Sequence, residues 1–336
     1  MKRPLLLALA VAIIVVIAVV AIIHRPPATT TTTTTTTPVI SSACPSPTVV
    51  VRTASQLGTA LAHAHPGDVV DLVDSTYEGG FTLKTSGTAA QPIVVCGSFH
   101  AILEGGGIDH GYVVHLVHAS YIHLVGFSVR HAQKGIVLDD SSHDTLENLD
   151  VSHVGDEAIH LRHGSSFNVV AHCHISSTGE LHPYFGEGIY VGSAFHNWVN
   201  GTPDRSDGNT LEGNVISDTT AEAVDVKEGT VGGLIEGGVM NGARESGVVS
   251  VINLKGNDWV VRDVRVLAGP RYAISTHVIV SGDGENNVVT LNVVATIGSG
   301  PDIWFAQPTT TKNTVSCSNR HPDGSAATSN VTCSSP

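Results

Sequence analysis

The chain has 336 residues, of which 5% are aromatic and 14% charged, with 35 glycines and 19 histidines. Its formal charge is -13 at pH 7 and no Lys/Arg run follows the extreme N-terminus, which argues against a nucleic-acid-binding surface. The Gly- and Val-rich, aromatic-poor mix suits short β-branched strands separated by turns better than helices.

Met1-Lys2-Arg3 precedes an unbroken apolar run, Leu5–Ile23. At roughly 1.5 Å per helical residue this run nearly matches a hydrocarbon core of about 30 Å. Residues 1–25 therefore read as a signal-anchor or transmembrane helix with the rest of the chain outside the cytoplasm. A cleaved signal, leaving a secreted domain, is the alternative. Pro26-Pro27 and the nine threonines Thr29–Thr37 have nothing to bury, so 26–43 reads as an extended, stalk-like linker.

Residues 44–336 read as one domain. Thr53-Ala54-Ser55-Gln56 is a capping-box pattern, and Leu57, Ala60, Leu61 and Ala64 then share a helical face. Pro66-Gly67-Asp68 stops this short helix, which suits a plug over an open core end. Cys317 and Cys333 flank a polar loop and read as a disulfide, Cys44 can reach Cys96, and Cys173 within VVAHCHI reads as a buried free thiol. No CxxC occurs, which disfavours a zinc or redox site. Gly105-Gly106-Gly107 is a turn, since no Lys-Ser/Thr follows it.

From Tyr112 a two-strand unit recurs, with starts at Tyr112, Gly135, Ala158, Gly188, Ala223, Val248, Tyr272 and Asp302. The first two steps are 23 residues and later ones lengthen by insertion. A recurrence of this size with Gly/Asn/Ser/Asp corners, and no long helix between strands, predicts an all-β fold: a right-handed parallel β-helix with a short N-terminal capping helix, preceded by one transmembrane helix. Stacked coils lie about 4.8 Å apart, so equivalent positions form ladders. The inward ladders are Ile136, Ile159, Ile189, Val224 and Leu138, Leu161, Val191, Val226. One outward ladder holds Glu157, Glu187 and Glu222, a second His160, Tyr190, Asp225 and Asn253, and a third Arg162, Gly192, Lys227 and Lys255, with Asp139 one coil earlier.

The repeat, the capping helix and the segments FGEGIYVGSA…NW, SDGNTLEGNVI, TTAEAVDVKEGTVGGLIEGG and NLKGNDW resemble the pectate-lyase-like right-handed β-helix superfamily over about residues 45–335. Within it, the spacing of Glu222 and Lys227 is similar to that of the chondroitinase B and alginate lyase family, where a Ca²⁺-binding Glu precedes the catalytic Lys by five residues. That resemblance implies Lys227 as catalytic base. The family's second calcium carboxylate falls here on Thr220, and Lys255 stands where the family has Arg.

Physically, three carboxylates stacked one coil apart repel one another. Either a hard cation such as Ca²⁺, held by Glu157, Glu187, Glu222 and Asp225, or the neighbouring Arg/Lys ladder would relieve them. β-Elimination of a uronate polymer needs a base near neutral pH. Lys227, bracketed by Arg162 and Lys255, is expected to have a lowered pKa and to serve, with Tyr190 or His160 protonating the leaving oxygen. Glu157 and Glu222, two coils apart, fit the spacing of a glycoside-hydrolase pair as well. Tyr184, Phe185, Tyr190 and Trp198 cluster around the insertions 179–187 and 193–208, where they either wall a glycan groove or pack the loops themselves. The expected partner is an acidic polysaccharide. A non-catalytic glycan-binding or surface-adhesion solenoid is the rival to a lyase.

Overall fold

Short strands of two to six residues pair coil to coil, every strand pair parallel, into three sheets of eleven, nine and nine strands. The chain, seen in a computed structural model that describes residues 44–335, is a right-handed parallel β-solenoid. The expected membrane segment (1–25) and linker (26–43) lie outside the described residues. Among the described residues no helix is long and apolar enough to cross a membrane.

The register is the one that hydrophobic recurrence dictates. Val114, Ile136, Ile159, Ile189, Val224, Ile252, Ile274 and Ile303 stack in one inward ladder of a nine-stranded sheet. Leu116, Leu138, Leu161, Val191, Val226 and Leu254 stack in the next. All are at most 2% exposed. Burying each such side chain is worth about 1.5–3 kcal/mol, and the β-branched residues fit the pleat at little rotamer cost. Because the side-chain period is two, this register sends His160, Tyr190, Asp225 and Asn253 outward in a row on the same sheet.

The turns are held by buried amides. The Oδ1 of Asn168 accepts the Asp144 N–H at 2.9 Å, and the Oδ1 of Asn209 accepts the Asn168 N–H at 2.9 Å, so each turn satisfies the next. Asp144 ends this row, accepting from the Ile122 N–H at 2.8 Å. The helix Ala54–Ala62 caps the N-terminal end, with Leu57 and Leu61 buried over the core and Thr53 Oγ1 accepting from the Gln56 N–H. At the other end the tail beyond Cys317 lies across the last coil, where Asp302 accepts from the backbone and hydroxyl of Thr328. Disulfides join Cys44 to Cys96 and Cys317 to Cys333, and Cys173 is a buried free cysteine.

Candidate functional site

The outward face of the nine-stranded sheet that begins at Phe81–Leu83 forms the floor of a groove of about 360 Å³. Lys134, Arg162, Glu187, Tyr190 and Lys227 line it. Its walls are the two insertions. The turn Pro183–Phe185 presents Tyr184 and Phe185, 74% and 59% exposed, and the turn Phe195–Asn197 contributes His196 and Asn197. The first insertion is seated by small residues: a Cβ on Gly179 or Gly186 would lie 1.8 or 2.0 Å from Thr220 Oγ1. Trp198 does not join Tyr184, Phe185 and Tyr190. Its indole N–H donates to Ser193 O at 2.9 Å and lines a neighbouring cavity under its own loop.

At the centre, Lys227 Nζ is 2.7 Å from Asp225 Oδ2 and 4.7 Å from the centroid of the Tyr190 ring. Lys255 Nζ, one coil on, is 2.6 Å from Asp225 Oδ1 and 2.7 Å from Oδ2. Burial works against the charge on Lys227, but Asp225 outweighs it and holds the ammonium well above its usual range. The sequence expectation of a lowered pKa for Lys227 is thus corrected: Asp225, two residues away on the same strand face, dominates over Arg162 and Lys255. Asp225 itself is fully buried, yet Lys227 and Lys255 overcome that burial and keep it ionised. Burial drives the Tyr190 phenol upward, a shift that the Lys227 ammonium only partly offsets.

Glu187, Glu222 and Asp225 bring one ligand oxygen each within 4.8 Å of one another. Glu157, expected to share this cluster, is claimed instead by Lys134 and by His160, whose Nδ1 lies 2.6 Å away. Burial raises Glu157, but those two partners prevail and hold it at about 2. His160 Nε2 is 2.9 Å from Gly192 O, and burial outweighs the neighbouring Glu157 and shifts the ring toward its neutral form. His160 is 6% exposed, lines the groove and packs edge-on against Tyr190 at 4.4 Å. Its two ring nitrogens are turned to Glu157 and to Gly192 O, and its ring buttresses Tyr190. Arg162 is turned toward the N-terminal coils, making a forked pair with Asp139 at 2.6 and 3.1 Å and reaching Tyr112.

The donor set tests the calcium expectation. A calcium ion takes roughly six to eight oxygen ligands. Here Asn253 Nδ2 donates to Glu222 Oε1 at 2.9 Å, its own oxygen being turned to His277 Nδ1 at 2.7 Å. Both Asp225 oxygens are occupied by lysine ammoniums. Every other side chain that these contacts place against Glu222 and Asp225 is thus a donor. The position of the related family's second calcium carboxylate is Thr220, closed against Gly179 and Gly186. These residues do not fit a calcium site. Burial and the neighbouring Asp225, Glu157 and Glu222 charges instead drive Glu187 far toward its neutral form.

Sequence reasoning missed Lys134, His196 and Asn197. For Lys134 a signal existed: it stands one 23-residue step before Glu157, each two residues ahead of the paired Ile136 and Ile159.

No family model matches the chain, and a search of curated proteins finds no match. Solved structures do. The chain is similar to an alginate lyase from Paenibacillus sp. str. FPU-7, with 33% identity and a TM-score of 0.76 over 84% of this chain and 99% of that one. It is similar in fold to pectate lyase Pel9A, at 16% identity and a TM-score of 0.55 over 82% of this chain and 72% of that one. It also shares its fold with tailspike protein 2 from Escherichia coli O157:H7 bacteriophage CAB120, at 12% identity and a TM-score of 0.52, over 82% of this chain and 38% of that one.

Proposed function

Because the chain belongs to the family of the Paenibacillus alginate lyase, we propose that it cleaves a uronic-acid polysaccharide, alginate foremost, by β-elimination in the groove described above. The observation that carries this reading is the pairing of Lys227 with Tyr190, 4.7 Å from ammonium to ring centroid, on the floor of an open groove also lined by Lys134 and Arg162.

β-Elimination removes the proton next to the sugar carboxylate and expels the O4 substituent. The developing enolate is negative, so cations aimed at it lower the barrier. Lys227, kept protonated by Asp225, supplies that charge and a proton for the leaving oxygen. Tyr190 accepts the carbon-bound proton as its phenolate, a form that burial opposes and the Lys227 ammonium against its ring favours. These roles reverse those expected from the sequence, and Asp225 is the reason. Tyr184 and Phe185 present exposed aromatic surface at the groove edge, suited to stacking on sugar faces. The two disulfides fit a location outside the cytoplasm.

Lyase assays on alginate, pectate and chondroitin with Lys227→Ala, Lys227→Arg and Tyr190→Phe test the assignment. Tyr190→Phe and Lys227→Ala are expected to lose at least about a hundredfold in rate, with Lys227→Arg retaining more than Lys227→Ala. A Tyr190→Phe protein that works as fast as the parent contradicts it. Binding of the polymer with no unsaturated product from the parent protein supports the adhesion solenoid instead.

A further inference from the structure

Resting on the lyase reading above, we propose that the chain itself compensates the carboxylate cluster of Glu187, Glu222 and Asp225, with Lys255 as a positioning residue in the place of a divalent cation, and that the reaction runs without a metal. Three independent features of the cluster carry this. The first is the direction of its hydrogen bonds. Lys255 Nζ reaches both oxygens of Asp225 at 2.6 and 2.7 Å, Lys227 Nζ reaches Oδ2 at 2.7 Å, and Asn253 Nδ2 reaches Glu222 at 2.9 Å. A hard cation needs oxygen acceptors turned toward it. His277 Nδ1 lies 2.7 Å from the Asn253 carbonyl oxygen, which is turned to it and away from Glu222.

The second feature is space. The three acids are buried, 5%, 7% and 1% exposed, and so are both lysine side chains, at 13% and 11%. A dication entering here would have to expel an ammonium from Asp225, and only a partly hydrated pocket would repay its lost water. The third is the closed wall at Thr220, where Gly179 and Gly186 leave no volume for a further carboxylate. Lys255 does not line the groove and touches no reacting atom. It fixes Asp225, which in turn aims the Lys227 ammonium.

The test uses the full chain, sodium alginate freed of divalent ions, EDTA, and calcium chloride. The parent protein is expected to form unsaturated product in EDTA within about twofold of its untreated rate, and its thermal midpoint to be unmoved by calcium. Lys255→Ala is expected to be at least about tenfold slower, and to gain a calcium-dependent rise in midpoint, because Asp225 Oδ1 is then freed and faces two further acids. Lys255→Arg, which keeps the charge, is expected to recover part of the rate without that rise. Activity of the parent that falls about tenfold in EDTA and returns with calcium overturns the proposal. So does a calcium-dependent rise in the parent's midpoint. Should no polymer yield product under any condition, the lyase reading fails, while the midpoint measurement still decides the question of the cation.

Discussion

Lys255 Nζ lies 2.6 and 2.7 Å from the two oxygens of Asp225, a forked contact between one coil and the next in the centre of the groove floor. Asp225 is 1% exposed and would not stay ionised there alone. With Lys255 and Lys227 both on it, the strand carries a buried ion triplet where its neighbours carry Tyr190 and Asn253. The arrangement orients Lys227 without a metal and leaves Tyr190 beside it.

Asp225→Asn should therefore damage stability and activity together. Two buried ammoniums lose their partner, a change that costs about 3–5 kcal/mol in comparable buried pairs. Urea unfolding of the variant should show a lowered midpoint with an unchanged slope, and alginate cleavage should be lost at temperatures where the fold persists. Unaltered stability would mean that water, and not Asp225, balances the lysines.

Glu157 sets an acid limit. Its folded pKa of about 2 lies below the ordinary 4.5, because His160 and Lys134 outweigh its burial. A lowered carboxylate pKa stabilises the fold above the unfolded value, and that contribution fades as pH falls from about 4.5 to about 2. It amounts to roughly 3 kcal/mol. Glu157→Gln should flatten this part of the stability profile in urea titrations across the acid range, and a profile as steep as the parent's would contradict the pairing.

Asp144 works in the opposite sense. It ends the row of turn asparagines, one of its oxygens is buried without a hydrogen-bond partner, and burial pushes its carboxyl up to about 8. The unfolded chain ionises near 3.8, so stability falls as pH rises from there to about 8 and is fully present only below. At neutral pH the cost is on the order of 4 kcal/mol. Asp144→Asn keeps the acceptor for Ile122 and removes the charge. The variant should be more stable than the parent at neutral pH and equal to it near pH 4, as read by thermal midpoints.

Gly186→Ala should separate the groove from the core. A Cβ there meets Thr220 Oγ1 at 2.0 Å and the backbone of Gly179 at 2.6 Å, so the turn carrying Tyr184 and Phe185 must shift. The predicted result is a raised KM for polymer, with a smaller effect on short oligosaccharides that do not reach the aromatic wall. Equal losses on both would place those aromatics outside the binding path.

The solenoid was legible because its aliphatic residues recur at coil spacing: Ile136, Ile159, Ile189 and Val224 are ladder partners in the sequence and in space. Asp225 beside Lys227 was legible too, since residues two apart on a strand share a face, and at this distance its charge outweighs the flanking cations. Glu157 was harder. It stands just before its strand, where backbone register no longer tells which neighbour a long side chain seeks, and Lys134 and His160 are both within reach. The insertions were visible only as extra length. Nothing in their composition told that Trp198 would fold under its own loop while Tyr184 and Phe185 faced the groove.

Mass spectrometry of the products of alginate digestion tests the central claim most directly. Elimination in this groove predicts oligosaccharides with an unsaturated terminal uronate, each lighter by one water than a hydrolase's product, and predicts their absence with Tyr190→Phe. Fully hydrated oligosaccharides would show that water is the attacking group, and the assignment of Lys227 and Tyr190 as an eliminating pair would fall.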